Sequence, residues 1–297
     1  MRVIEPKHNL KRPTNQKKPK KRPVRTFVLL VILVMSSFGL LALADNYKQT
    51  AVNRQKPSQV ASANTVQDLQ KVASATDVKF KFFNGDQFQQ LYESLIFPNS
   101  QAITQAPAIT GDEVVDARIK TIAASRGYEL RSVPVLPIVK TNTPGLAKDD
   151  LLQPKAYSGW KVLEEMAKKD GIPLKLNSGY RSIENQRDLF LSRLRANGGD
   201  NARIAAGQAD NAVVQTLLMT APPGYSRHHT GYTIDLLCEG SGVAFEKSAC
   251  FQWISANNYD KAKRAGWVPS YPEGASSQGP EPESWEYVWV GLNQVTE

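Results

Sequence analysis

An uncharged apolar run near the N-terminus constrains this chain more than any other feature. Residues 27–44 read FVLLVILVMSSFGLLALA, eighteen residues without a charged side chain. A helix of that length covers about 27 Å, close to the roughly 30 Å of a bilayer's hydrocarbon core. Ten Lys and Arg residues but only one acid lie within residues 1–25. The positive-inside rule therefore predicts a basic cytoplasmic tail at 1–25, a transmembrane helix at 26–44 and an exported remainder.

The same run has a second interpretation, as a signal peptide. Ala42, Leu43 and Ala44 form the small-x-small pattern of a cleavage site. The apolar run is nevertheless longer than the roughly 7–15 residues typical of a signal peptide. We expect a single-pass protein of the cytoplasmic membrane whose C-terminal domain lies outside, or a secreted protein if the chain is cleaved after Ala44. Both interpretations export everything after residue 44.

The net charge of +9 lies in the predicted cytoplasmic tail. The whole chain has 37 Lys and Arg residues against 28 Asp and Glu residues. Without residues 1–25, the balance is 27 basic against 27 acidic residues. An exported part with no excess of basic charge lacks the footprint of a nucleic-acid-binding domain. We therefore expect no nucleic-acid partner.

The exported part divides into a polar segment and a folded domain. Residues 45–77 contain few large apolar side chains, which is typical of a linker. We assign 45–105 to a linker and membrane-proximal region and 106–297 to the folded domain. Helical and strand-like patterns follow one another without regular βαβ alternation, which predicts an α+β fold with a small, mostly antiparallel sheet flanked by helices. Helices are predicted near 112–125, 154–171, 184–199, 211–220 and 248–256, and strands within 172–182 and near 232–237 and 285–290.

The chain has two cysteines, Cys238 and Cys250, both in the exported part. In an oxidising compartment, such a pair forms a disulfide worth about 3 kcal/mol in the loop-entropy model. The alternative is two buried free thiols. A metal site at these cysteines is disfavoured because further soft ligands are absent nearby.

Histidine is scarce, and this limits where histidine chemistry can occur. His8 lies in the predicted cytoplasmic tail, so an exported site has only His228 and His229, within SRHHTGYTID. A Ser-His-Asp hydrolase is disfavoured because the chain has no GxSxG motif, and Ser226 lies only two residues from His228. Two adjacent histidines alone are more often surface or core residues than ligands.

Three ordered motifs give the histidine pair a context. They are SGYRSIENQ at 178–186, SRHHTGYTID at 226–235 and ESWE at 283–286. In this order and at these separations, the sequence resembles the zinc D-alanyl-D-alanine carboxypeptidases of the VanY type, which trim bacterial peptidoglycan stem peptides. The family's motifs read SGYRS…Q, SxHxxGxAxD and ExWH. The resemblance covers residues 151–291, about half of the chain.

The resemblance implies a role for each matching residue. His228 and Asp235 correspond to two zinc ligands, and Glu283 corresponds to the general base. Arg181 corresponds to the arginine that binds and polarises the substrate near the scissile bond, and Gln186 and Ser226 correspond to residues that line the substrate site. The implied chemistry is consistent with these residue types, because a metal acidifies its bound water and a nearby carboxylate can accept the proton.

One position departs from the family pattern. The third ligand, the histidine of ExWH, is replaced by Glu286, and an arginine common after it is replaced by Val288. A carboxylate can still bind zinc at about 2.0–2.2 Å, and a more anionic ligand set also suits manganese or another divalent ion. The alternatives are a degenerate site that no longer binds catalytic metal, or a different register in which Glu281 or Glu283 has another part. His229 could replace the missing histidine only if neighbouring side chains converged.

The sequence therefore leaves two main functional hypotheses. The first is a metallo-carboxypeptidase, with zinc as its cofactor, that hydrolyses the terminal peptide bond of peptidoglycan stem peptides of the D-Ala-D-Ala type. The second is a non-catalytic peptidoglycan-binding module on a degenerate peptidase scaffold. A structural or signalling domain on the same scaffold is disfavoured by the export signal and the SGYRS motif. The expected partners are the stem peptide and, through residues 26–44, the membrane.

Overall fold

The computed structural model describes residues 58–59, 66–143 and 151–297. The predicted cytoplasmic tail at 1–25 and the predicted membrane segment at 26–44 lie outside these residues. Within the described ranges, no helix has both the length and the apolar character needed to cross a bilayer.

A four-stranded antiparallel sheet forms the centre of the domain. In spatial order its strands are β1 Leu174–Ser178, β2 Thr233–Cys238, β4 Glu283–Trp289 and β3 Trp267–Tyr271. The last strand, β4, therefore lies inside the sheet, between β2 and β3. Three further strand pairs are short and peripheral. The predicted α+β fold with small antiparallel sheets is confirmed. The peripheral pairs are Ser58–Gln59 with Leu95–Ile96, Ser100–Ala102 with Ser132–Pro134, and Val139–Lys140 with Leu151–Leu152.

Helices flank the sheet, and several begin where the sequence predicts. Asp112 caps one of them by accepting hydrogen bonds from the N–H groups of Val114 and Val115, and Ser182 caps another by accepting one from Asn185. The α-helices of the described residues are α1 Val66–Ser74, α2 Gly85–Glu93, α3 Glu113–Ser125, α4 Pro154–Lys169, α5 Ile183–Ala196, α6 Asn201–Ala205, α7 Asp210–Leu217, α8 Ala249–Arg264 and α9 Leu292–Val295.

Helix α8 continues past residue 256, where the predicted helix ends. Its backbone is non-helical at residues 256–259, with positive φ at Asn257, Asn258 and Tyr259. The Asn258 amide stabilises this break by donating to the carbonyl of Phe83 and accepting from its N–H. A disulfide between Cys238 and Cys250 joins the end of β2 to the first turn of α8.

The main hydrophobic core extends beyond the predicted domain boundary at residue 106. It contains buried residues of the central sheet and of α4 and α8, and also Leu69, Phe88, Tyr92 and Phe97 from the N-terminal side. Helix α1 thus packs on the domain, although it falls within the segment that the sequence suggests is a polar linker. The sequence of α1 resembles a linker because the helix buries only a narrow stripe: Leu69 is fully buried, whereas most of the helix is polar and exposed.

Candidate metal centre and active-site cleft

Strand pairing brings two of the predicted ligands face to face. Asp235 of β2 lies directly opposite Glu286 of β4 in the antiparallel register. Directly opposite residues on one face have Cβ atoms about 4.5–5.5 Å apart. The two carboxylates therefore converge without help from a loop.

His228 reaches the same point from a short 3₁₀ turn, Arg227–Thr230, which precedes β2. Gly231 ends the turn at φ +72°, a left-handed conformation that favours glycine, and the chain then reverses into β2. The ring Nε2 of His228 lies 3.3 Å from Asp235 Oδ1 and 3.2 Å from Glu286 Oε2. Its Nδ1–H donates to the carbonyl of Gly179 at 2.6 Å, which directs the Nε2 lone pair at the carboxylates.

These three residues form a donor set that fits a divalent cation. One ligand atom from each of His228, Asp235 and Glu286 lies within 4.8 Å of the other two. Asp235 Oδ1 and Glu286 Oε1 are buried and have no hydrogen-bond partner. Buried acceptors without partners are costly, whereas a cation would satisfy both. Imidazole nitrogen and carboxylate oxygen are ligands that zinc accepts, and carboxylates also suit manganese.

The electrostatics of His228 agree with this interpretation. Burial alone would lower its pKa, but the charges of Asp235 and Glu286 outweigh burial and raise the pKa to about 10. The site therefore favours positive charge between the two carboxylates, either a proton on the imidazole or a metal ion. Because a ligating imidazole must be neutral, the proton and the metal compete for the same place.

Glu283 lies beside the donor set at the start of β4. Glu286 follows it three positions later, so simple strand alternation would place the two side chains on opposite faces. A register shift between Glu283 and Tyr287 breaks the alternation and lets both acids face the cleft. Burial, reinforced by Glu286 and Asp235, raises the pKa of Glu283 well above its usual range. A carboxyl group with a raised pKa is suited to accept a proton and return it.

Arg181 is fixed against the other side of Asp235. Its Nη2 donates to Ser178 Oγ at 2.8 Å and lies 3.7 Å from Asp235 Oδ2. Its Nη1 donates to Gln186 Oε1 at 3.1 Å, and the Gln186 amide in turn donates to the carbonyl of Ala221 at 2.7 Å. The guanidinium group is thus oriented before any ligand arrives.

His229 lies apart from the donor set and supports the backbone. Its Nε2 accepts a hydrogen bond from the N–H of Gly224 at 3.0 Å, so its Nδ1–H donates to the carbonyl of Arg181 at 2.7 Å. Burial lowers its pKa to about 4 and keeps the ring neutral. His229 does not replace the missing family histidine. It instead ties together the loops that carry Arg181 and His228.

Glu281, the alternative acid at the third motif, also lies away from the donor set. Its side chain is 58% exposed and pairs with Arg126 at 3.4 Å. By contrast, all the residues that sequence analysis assigns to the site line one cleft of about 110 Å³. These residues are Arg181, Gln186, Ser226, His228, Asp235, Glu283 and Glu286.

Sequence reasoning missed an arginine cage behind the site, which we define as Arg227 and the residues around it. The Arg227 guanidinium is fully buried between the rings of Tyr92 and Tyr271, 3.7 and 4.1 Å from their centroids. Its Nη2 donates to Gln89 at 2.6 Å and lies 3.4 Å from a carboxylate oxygen of Glu93. Since Arg227 directly precedes His228, the cage anchors the turn that carries this candidate ligand. Its partners from α2 are more than 130 residues away in sequence, so no local pattern predicts them.

Residues 149–292 match the sequence model of the VanY family, D-alanyl-D-alanine carboxypeptidase. "Putative carboxypeptidase YodJ" of Bacillus subtilis is 26% identical over 235 residues, covering 77% of this chain and 78% of that protein. A D-alanyl-D-alanine carboxypeptidase of Enterococcus faecalis is 28% identical over 138 residues, covering 45% of this chain and 46% of that protein.

Two proteins of known structure are similar to more than half of this chain. A mutant of the vancomycin resistance D,D-pentapeptidase VanY in complex with Zn(II) has 21% identity and a TM-score of 0.43, covering 54% of this chain and 84% of that one. The LdcB LD-carboxypeptidase has 19% identity and a TM-score of 0.42, covering 72% of this chain and 85% of that one.

The family model and both sequence relatives indicate one class of protein, a carboxypeptidase. More specifically, the domain of residues 149–292 belongs to the VanY D-alanyl-D-alanine carboxypeptidase family. The resemblance inferred from the three sequence motifs is confirmed.

Proposed function

We propose that the protein is a metal-dependent carboxypeptidase that removes the terminal residue from peptidoglycan stem peptides ending in D-Ala-D-Ala. The observation that carries the proposal is the His228–Asp235–Glu286 set, in which two buried carboxylate oxygens lack partners. The substrate class is supported by the family and by the names of the relatives. We propose zinc as the cofactor, with manganese as the alternative that a more anionic ligand set allows.

A divalent cation held by these three residues would acidify a bound water molecule and polarise the scissile carbonyl group. Glu283 accepts the proton of the attacking water and returns it to the departing amine. Its place in the cleft and its raised pKa support both halves of that transfer.

Arg181 stabilises the charge that develops on the carbonyl oxygen during attack. Its guanidinium group is held by Ser178 and Gln186, so little reorganisation is needed when charge appears. Gln186 and Ser226 complete the wall of the cleft. Gln186 acts through Arg181, and Ser226 is a buried residue two positions before His228.

A second candidate function is a peptidoglycan-binding module without catalysis. The observation that favours it is Glu286, which stands where the family has a histidine. If one imidazole and two carboxylates bind the metal too weakly, or leave its bound water too basic, the cleft would still bind a stem peptide. The two functions differ in their dependence on metal and on Glu283.

We also propose that the enzyme works outside the cytoplasmic membrane, anchored by residues 26–44. The basic residues of the tail before this segment support that orientation. Stem peptides of the cell wall would then be accessible to the cleft, and the Cys238–Cys250 disulfide is consistent with an oxidising compartment.

The test is to incubate the purified full-length chain, in detergent, with a stem pentapeptide ending in D-Ala-D-Ala. Mass spectrometry follows the loss of one alanine with chelator, with zinc and with manganese. If the protein is the proposed carboxypeptidase, alanine loss requires metal. Glu283→Gln should then reduce the rate of loss by about 10²–10⁴-fold, while the variant still binds the peptide. Binding that is indifferent to chelator, without turnover on pentapeptide or tetrapeptide, would instead support the binding module.

A further inference from the structure

A carboxypeptidase must bind a charged group that an endopeptidase does not meet. In a C-terminal residue, the carboxylate carbon lies only about 2.5 Å from the scissile nitrogen. The terminal carboxylate therefore enters the same cleft as the scissile bond. Two residues with a permanent positive charge line that cleft, Arg181 and Arg193.

Arg181 is held at the end of the cleft that contains the candidate metal ligands. Its two terminal nitrogens donate to Gln186 and Ser178, and one of them also faces Asp235 at 3.7 Å. A guanidinium group held beside a candidate metal ligand is placed for the carbonyl oxygen. The carboxylate then needs another partner.

Arg193 enters the cleft from the last turn of α5. Its Nη1 donates to the carbonyl of Met219 at 2.8 Å and to the hydroxyl of Thr220 at 2.5 Å. Thr220 is buried, so this anchor is part of the cleft wall. Within the described residues, Nε and Nη2 of Arg193 make no hydrogen bond. The N–H groups of these two nitrogens form the edge that pairs with a carboxylate through two parallel hydrogen bonds.

We infer that Arg193 binds the terminal carboxylate of the substrate and thereby restricts the enzyme to free peptide C-termini. This inference rests on the proposed carboxypeptidase function and adds its specificity determinant. The Met219 and Thr220 contacts hold the side chain before substrate binds, which reduces the entropy lost on binding. A second cavity shares Arg181 and Arg193 with the cleft and continues past Asp235, so the Arg193 side chain lies between two open spaces that substrate can occupy.

The experiment compares two pentapeptides that differ only at the C-terminus, one with a free carboxylate and one with a carboxamide. Values of kcat/KM are measured for the full-length wild type, Arg193→Ala, Arg193→Lys and a matched control, Arg195→Ala. Arg195 is exposed on the same helix and lines neither cavity. Circular dichroism and zinc binding verify that each variant keeps its fold and its metal site.

We expect the wild type to prefer the free acid by about 10- to 100-fold, the range of a charge-assisted hydrogen bond. Arg193→Ala should abolish that preference by raising KM for the acid, with little change for the amide. Arg193→Lys should keep part of it, because lysine retains the charge without the paired donors. Arg195→Ala should behave as the wild type does.

Two outcomes would overturn the inference without touching the proposed function. The wild type could cleave acid and amide equally well, or Arg193→Ala could keep the full preference for the acid. If Arg193→Ala does not fold, an undiminished acid preference in Arg193→Lys is the refuting result. A wild type that cleaves neither peptide with any metal contradicts the proposed function itself.

Discussion

Replacing Glu93 by glutamine tests whether the arginine cage stabilises the fold behind the site. One carboxylate oxygen of Glu93 accepts from Arg131 at 2.8 Å, and the other lies 3.4 Å from Arg227. Both arginines are buried. Burial raises the pKa of Glu93, but the two guanidinium groups outweigh burial, and the net shift is downward. Glutamine keeps the shape of the side chain and removes the charge.

The expected cost follows from the general behaviour of buried ion pairs. Removing one partner of such a pair typically costs about 3–5 kcal/mol, because the other charge stays buried. The Glu93 side chain is 29% exposed, and glutamine retains one acceptor oxygen, so we take the lower end, about 3 kcal/mol. With a urea m-value of about 2 kcal/mol/M, the unfolding midpoint should fall by about 1–2 M.

Urea unfolding followed by tryptophan fluorescence measures the difference. The matched control is Asp170→Asn, since Asp170 pairs with Lys261 at 2.7 Å on the surface. An exposed pair is worth less than about 1 kcal/mol. If Glu93→Gln shifts the midpoint no more than Asp170→Asn does, the cage does not stabilise the domain as argued here.

Three further predictions concern stability. Burial lowers the pKa of Lys263 from 10.5 to about 8, so between these pH values the unfolded chain binds a proton that the folded chain has lost. The free energy of unfolding should therefore rise as pH rises from about 8 to 10.5. Unfolding measured from pH 7.5 to 10.5 should show this rise in the wild type and not in Lys263→Met. Replacing Cys238 and Cys250 by serine should lower the free energy of unfolding by about 3 kcal/mol, and an unchanged thermal midpoint would contradict the contribution assigned to the disulfide. Leu69→Ala should cost about 2–4 kcal/mol because Leu69 is fully buried, whereas a loss below about 0.5 kcal/mol would mean that α1 does not pack on the domain in solution.

Local signals predicted those parts of the fold that local interactions stabilise. The helices predicted near 112–125 and 154–171 are examples, because their ends depend on nearby backbone groups: Asp112 caps the first, and Gly171 follows the second at φ +71°. Helix α1 was not predicted because its apolar stripe has only one fully buried side chain, Leu69, which is too little to give a helical pattern. The break in α8 at residues 256–259 was missed for a related reason, since the contact that stabilises it comes from Phe83.

The residues of the candidate site also fall into two groups, those that a local pattern predicts and those that depend on distant partners. The motifs located His228, Asp235 and Glu283 because their order along the chain is itself the pattern. Arg227 and Arg193 have no such signal. Arg227 depends on α2, which precedes the family region, and Arg193 depends on a loop 26 residues further along the chain. Only the folded chain brings these partners together.

A zinc titration against a competing chromophoric chelator tests most directly whether His228, Asp235 and Glu286 hold a metal ion. It would be performed on the full-length wild type, Glu286→Gln and Glu283→Gln. We expect the wild type to bind one equivalent of zinc and Glu286→Gln to bind zinc at least about 10-fold more weakly. Glu283→Gln should bind zinc with nearly unchanged affinity but lose turnover. A wild type that binds no zinc, or a Glu286→Gln variant that binds it as tightly as the wild type, would contradict the claim that His228, Asp235 and Glu286 hold the catalytic metal.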